Sequence, residues 1–113
     1  MDARARRLME LYRLTPEDHE AILRHQNWVC AITGKHMKTP NTDHDHRTGL
    51  IRGLLDWKIN KGLAFFDDDP ELLRAAAYYL EHPPATAALG TPRYGLIGRA
   101  KMGKRKQVYG PPK

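Results

Sequence analysis

A three-residue connection most constrains how this chain can fold. The polar run Thr42-Asp43-His44-Asp45-His46 is separated from the apolar run Leu50-Ile51-Arg52-Gly53-Leu54-Leu55 by Arg47, Thr48 and Gly49 alone. So short a link ending in glycine lets two extended segments do little except turn back on one another, which predicts a β-hairpin pairing 42–46 with 50–55. Leu50, Ile51, Leu54 and Leu55 are its apolar payload. Gly53 interrupts that run, and a glycine inside a strand marks a bulge or a close backbone approach. A helix over 56–65 follows, with Asn60 in its first turns.

Around this hairpin the sequence reads as helices. Leu8, Leu11 and Tyr12 stand at helical spacing among the arginines of 3–13. Thr15-Pro16-Glu17-Asp18 is a helix start with a cap, a proline at the first helical position and a capping-box acid, and the helix should run to Gln26, burying Ile22, Leu23 and His19. The segment 27–32 is short and apolar, and Thr33-Gly34-Lys35 turns it. Pro40 and Asn41 break 36–42 into a loop. Asp69-Pro70 opens a helix to Glu81 with Leu72, Leu73, Ala76, Tyr79 and Leu80 on one face, and His82-Pro83-Pro84 stops it. No regular element is expected from 85 onward. The fold class expected is therefore α+β and mostly helical, with one domain over 1–84 and a basic, flexible tail over 85–113.

Hydrophobic residues make up 41% of the 113 and aromatics 8%, so the core of one copy is modest. Cys30 alone permits no internal disulfide and suits a reducing compartment. No apolar run approaches the roughly 18–20 residues a membrane span needs, and residues 1–7 are charged where a secretory leader would be apolar. These features point to the cytoplasm and away from membranes. The net charge is +6, and Arg93, Arg99, Lys101, Lys104, Arg105, Lys106 and Lys113 stand in the last stretch with no acid among them, so the rest is close to neutral. A basic tail of this kind is a common grip on a phosphate backbone, and its plain alternative is a solubilising extension.

The polar half of the hairpin carries the chemistry. A hard metal takes oxygen ligands, which Asp43 and Asn60 offer, and Mg²⁺ or Mn²⁺ needs few of them because it keeps several waters. His44 beside Asp43 can take a proton from water; a histidine's ordinary pKa near ~6.5 leaves the ring largely neutral at pH 7–8, as a base must be. Carboxylate, imidazole and amide on a hairpin and the helix after it form a ββα-metal arrangement suited to phosphodiester hydrolysis. Arg47, Arg52 and Lys61 are candidates for holding the phosphate. Asp-His pairs also occur in zinc or nickel sites and in polar hairpins of no function. His19, His25, His36 and His82 are read as surface, capping or packing residues, Asp67-Asp68-Asp69 as a loop and helix cap.

The same residues carry a family resemblance. Asp43-His44-Asp45-His46, a basic glycine turn, Arg52-Gly53-Leu54-Leu55 and a following asparagine resemble the phage recombination endonuclease VII family of His-Me finger (HNH-type) nucleases. Leu14-Thr15-Pro16-Glu17-Asp18, Cys30-Ala31-Ile32-Thr33-Gly34 and Asp69-Pro70-Glu71-Leu72-Leu73-Arg74 extend the resemblance over residues 10–82. It implies metal-dependent hydrolysis of DNA, with branched substrates such as Holliday junctions. By position it makes Asp43 and Asn60 the metal ligands, His44 the general base and His46 a second active-site histidine, and leaves Asp45 without a role. It also implies a phage-encoded enzyme in the host cytoplasm, and junction resolution, with two cuts, suits a two-fold homodimer. The alternatives are a DNA-binding or packaging protein on a relic nuclease fold, and a nicking HNH enzyme of other substrate preference.

The chain departs from that family at its structural zinc, which two Cys-x-x-Cys pairs usually hold. Here those positions are Cys30, Thr33, Asp56 and Ile59, so a four-thiolate site is impossible. A set of Cys30, His36 and Asp56 has poor ligand spacing. No structural zinc is expected, and Ile59, Trp28, Val29 and Trp57 are expected to fill the space.

Deleting residues 93–113 tests the tail. DNA binding should weaken, and the slope of log K against log salt should flatten by roughly 0.9 for each lost phosphate contact; equilibrium titration at a series of salt concentrations reads both.

Overall fold

A computed structural model of the protein describes residues 2–96. Residues 2–65 form one compact unit and 66–96 belong to a second. Together they hold five helices and one two-stranded antiparallel sheet, an α+β arrangement.

The first unit starts with two capped helices. In α1 (Ala3–Tyr12) the N–H of Ala5 donates to the Asp2 carboxylate. In α2 (Pro16–His25) the capping box is complete: Asp18 N–H donates to Thr15 Oγ1 at 3.0 Å, and Thr15 N–H to Asp18 Oδ2 at 2.9 Å. Each such bond satisfies a donor that the first helical turn leaves over. Past α2 the chain reverses through Asn27 and Trp28, both with positive φ. That reversal leaves Trp28 50% exposed and carries Cys30 into the interior, where it is fully buried.

The hairpin comprises β1 (Asn41–His44) and β2 (Ile51–Leu55). Asn41 faces Leu55, Thr42 faces Leu54 and Asp43 faces Gly53, but His44 faces Ile51. The register slips there by one residue, and Arg52 is the extra residue of the bulge. The helix α3 (Trp57–Phe65) follows, started by Asp56, whose carboxylate accepts from Lys58 N–H at 2.9 Å. α3 approaches β1, and α2 approaches β2.

The core consists of Cys30, Met37, Leu54 and Leu55, with Ile22, Leu23, Ala31, Ile59 and Leu63 packed on it. The expected tryptophan filling is overturned. Trp28 lies outside for the reason given, and Trp57 is 59% exposed at the first position of α3. Met37 takes their place; an unbranched thioether adapts to an irregular gap.

Gln26 ties these parts together. Its side-chain amide donates to the carbonyls of Val29 (2.9 Å) and Leu54 (3.0 Å), and its Oε1 accepts from Leu54 N–H (2.9 Å). Leu54 is on a two-stranded sheet whose other edge has no strand, so the glutamine stands in for one. A Cβ at Gly53 would lie 3.1 Å from that oxygen. The glycine is thus a place of close approach as well as a neighbour of the bulge.

In the second unit α4 (Pro70–Glu81) is capped by Asp69, which accepts from Glu71 N–H at 3.0 Å. Leu73 and Ala76 are half-buried, whereas Leu72, Tyr79 and Leu80 are exposed. A further short helix, α5 (Pro84–Leu89), ends at Gly90 in the left-handed region. It contradicts the expectation of no regular element after 85. Pro84 at its first position and a small-residue run were enough to start it.

Gln26→Ala should leave the N–H of the fully buried Leu54 without a partner, at a cost of about 1–3 kcal/mol, and its carbonyl with only the longer bond from Ala31 N–H at 3.3 Å. The melting temperature read by circular dichroism should fall accordingly. Gly53→Ala should also destabilise, because Gln26, held by three bonds, cannot move aside freely.

Candidate active site

The hairpin turn is built by Asp45. Its Oδ1 accepts from the N–H of Arg47 at 2.8 Å and of Thr48 at 3.3 Å. Its own N–H donates to Leu50 C=O, and its carbonyl accepts from Gly49 N–H at 2.7 Å. Gly49 has φ +81°, which a side chain would resist. The Arg47 N–H foremost, with that of Thr48 and the charges of Arg47 and Arg52, outweighs desolvation and holds the Asp45 carboxyl below its ordinary range. Asp45, left without a role by the sequence, therefore shapes the turn that presents its neighbours.

Asp43 and His44 sit at the slip in register. Asp43 is 6% exposed, and its carboxylate is gripped by both arms of Arg52. Arg52 Nε donates to Oδ2 at 2.7 Å, and Nη2 to Oδ1 at 2.9 Å. A longer bond of 3.4 Å runs from Nη2 to the His44 carbonyl. The bulge re-aims Arg52, as bulges do, so that one guanidinium spans the acid and the backbone of the histidine. Arg52 was a candidate for phosphate; the structure places it on Asp43.

The His44 ring meets two others. His46 stacks on it with ring centres 4.7 Å apart and planes 20° from parallel, and Tyr12 of α1 meets it at 5.6 Å, tilted by 57°. The structure thus brings Asp43, His44, His46 and Arg52 together. Asn60 lies half-buried in the first turns of α3, the helix that approaches the strand bearing Asp43, and its N–H donates to Asp56 C=O. Arg47 is exposed on the turn. Lys61 is on α3 with its ammonium 5.7 Å from the centre of the Trp57 ring. Arg99, Lys101, Lys104, Arg105 and Lys106 lie outside the described residues.

Sequence reasoning missed Tyr12 as a neighbour of His44 and read it only as part of an apolar stripe. Its signal was the spacing Leu8, Tyr12, which places both on one face of α1. It also missed the Asp43–Arg52 pair, whose signal was Arg52 standing beside the bulge glycine.

At the four positions where the resembled family carries thiolates, Cys30 is buried in the core and Asp56 caps α3. Burial pushes the Cys30 thiol up, but hydrogen bonds from Thr33, Asp56 and Ile32 outweigh it and leave the thiol lowered. Among the described residues no three His, Cys, Asp or Glu side chains are grouped to hold a metal. An Asp–Asn pair is a different kind of donor set from those.

The sequence profile of recombination endonuclease VII matches residues 5–82, which include Asp43, His44, His46 and Asn60. The chain belongs to that family. It is similar to the Gene 59 protein of Mycobacterium phage D29, 36% identical over 88 residues, covering 74% of this chain and 53% of that protein. The Gene 59 protein of Mycobacterium phage L5 is 33% identical over 88 residues, covering 74% and 54%. The chain spans about half the length of these curated relatives. No solved structure matches it. Among the described residues, no helix is long and apolar enough to cross a membrane.

Arg52→Met should leave a buried carboxylate without its charge-assisted bonds. Losing hydrogen bonds to a charged group costs about 1.5–3 kcal/mol, which for a domain of this size lowers Tm by about 4–8 °C per kcal/mol. Combining it with Asp43→Asn should recover part of the loss; strictly additive effects in that double-mutant cycle would show the pair to be uncoupled.

Proposed function

We propose that this protein is a metal-dependent DNA endonuclease that hydrolyses phosphodiester bonds, with branched duplexes such as four-way junctions as its substrate. The observation that carries the reading is the match to recombination endonuclease VII across 5–82, the stretch that holds the Asp43–His44 hairpin and Asn60. On this reading β1, β2 and α3 act as a ββα-metal core, with residues 1–84 as the nuclease domain and 85–113 as a basic tail on the DNA.

The residues fit a hard divalent ion. A carboxylate offers about four acceptor sites, and Arg52 occupies two of those on Asp43. The remaining sites and the side-chain oxygen of Asn60 are the donors that Mg²⁺ or Mn²⁺ prefers, with water completing the shell. When bound there, such an ion supplies charge neutralisation at the phosphate and its leaving oxygen. His44 takes the proton from the attacking water. Tyr12 and His46 limit the orientations open to its ring, and orientation decides whether a base meets the lone pair it must free. His46 serves beside the phosphate or leaving group, and Arg47 and Lys61 hold the DNA backbone. Arg52 fixes the Asp43 carboxylate. Two cuts on opposed strands favour a homodimer, for which the exposed Leu72, Tyr79 and Leu80 of α4 offer apolar area.

His44→Ala should lower the cleavage rate by about 10²–10⁴-fold while DNA binding persists. Asp43→Ala and Asn60→Ala should raise the Mg²⁺ concentration needed for activity. The assay is cleavage of a synthetic four-way junction beside its linear duplex. Near-normal rates with His44→Ala would remove the histidine from its role. DNA binding without cleavage under any divalent ion would favour a relic nuclease fold, and nicking of the linear duplex alone a different substrate.

A further inference from the structure

Beside the catalytic hairpin lies a cavity of about 290 Å³, lined among others by Arg4, Arg7 and Tyr12 of α1, His19 of α2, and Asn41 and Thr42 of β1. It adjoins the site on two sides. Thr42 directly precedes Asp43 in β1, and Tyr12 is the residue whose ring meets His44. Arg4 and Arg7 are three residues apart, so their guanidinium groups emerge from one face of α1. Among the described residues neither is in an ion pair. Both therefore present charge not taken up in an ion pair to a concave surface, where low-dielectric walls concentrate the field, although Glu17 and Glu20 share a second pocket with Arg4.

We propose that this cavity binds a backbone phosphate of the DNA strand next to the one being cleaved, with Arg4 and Arg7 as its anchors. The proposal rests on the endonuclease reading and adds a contact to it. A guanidinium fork matches the two non-bridging oxygens of a phosphodiester, and the Thr42 hydroxyl adds a neutral donor at the wall. His19 contributes shape more than charge. It is 6% exposed, and burial, followed by the charge of Arg4, lowers its pKa. A strand held here passes close to His44, because Tyr12 belongs to the wall and its ring meets the His44 ring. The contact positions the substrate without reading its sequence, as phosphate contacts do.

The test is equilibrium binding of a labelled linear duplex to the full-length protein at a series of salt concentrations, in EDTA so that no cleavage intervenes. R4A/R7A should show a slope of log K against log salt shallower than wild type by roughly 0.9 per arginine, since each phosphate contact releases about that many counterions. Over a tenfold change in salt that is about eightfold in affinity for each contact. R4K/R7K should restore the slope. If R4A/R7A melts well below wild type, R7A alone, which spares the residue beside His19, is read the same way with a change of roughly 0.9. An unchanged slope in a folded variant overturns the proposal even if the wild type cleaves DNA. A wild type that binds DNA but cleaves none with Mg²⁺ or Mn²⁺ overturns the nuclease reading instead, and leaves the cavity to be judged by the slope alone.

Discussion

The paired hydrogen bonds between the Gln26 amide and the backbone of Leu54 are the contact on which the rest depends. A two-stranded sheet leaves each strand with one unpaired edge, and a buried unpaired peptide group is costly. Leu54 is fully buried, so its edge has no water to turn to. The glutamine, placed at the end of α2 by that helix's length, supplies donor and acceptor at once. It also holds Val29 and so fixes the loop that delivers Cys30 to the core. With β2 anchored in this way, the bulge at Arg52 and the presentation of Asp43 follow.

The Asp43–Arg52 pair sets a balance in the site. An isolated buried carboxylate would be expensive, and a fixed guanidinium offsets that expense before any other cation arrives. The same guanidinium repels a divalent ion and takes half the acceptor capacity of the acid. On the proposed chemistry, Arg52 therefore exchanges metal affinity for a carboxylate of defined orientation. A weakly held, heavily hydrated ion is compatible with such an exchange, because Mg²⁺ gives up its waters reluctantly and relies on few protein ligands.

The four positions Cys30, Thr33, Asp56 and Ile59 serve packing and capping in this structure. Cys30 still sits among the donors of Thr33, Asp56 and Ile32, yet Asp56 caps α3 and Ile59 packs on an apolar core with Met37 and Leu54. Apolar packing is non-directional and spreads its contribution over many contacts, at about 1.5–3 kcal/mol for each large side chain buried. That is why Met37 from a distant loop could join the core while the two tryptophans remained outside.

Much of this was determined by local sequence. Thr15-Pro16 and Asp69-Pro70 fixed two helix starts, because caps act over three residues; the short Arg47-Thr48-Gly49 link fixed the hairpin; and Gly53 marked a bulge and a close approach. Family membership was equally legible in Asp43-His44-Asp45-His46 and Arg52-Gly53-Leu54-Leu55, because each motif is contiguous in sequence. Long-range facts were left to the tertiary structure. That Gln26 completes β2, that Tyr12 covers His44, that Arg52 grips Asp43, and that Arg4 and Arg7 face a cavity beside β1 all depend on which helix face meets which strand. Those outcomes follow from packing many residues into one small core, and no window of sequence contains them.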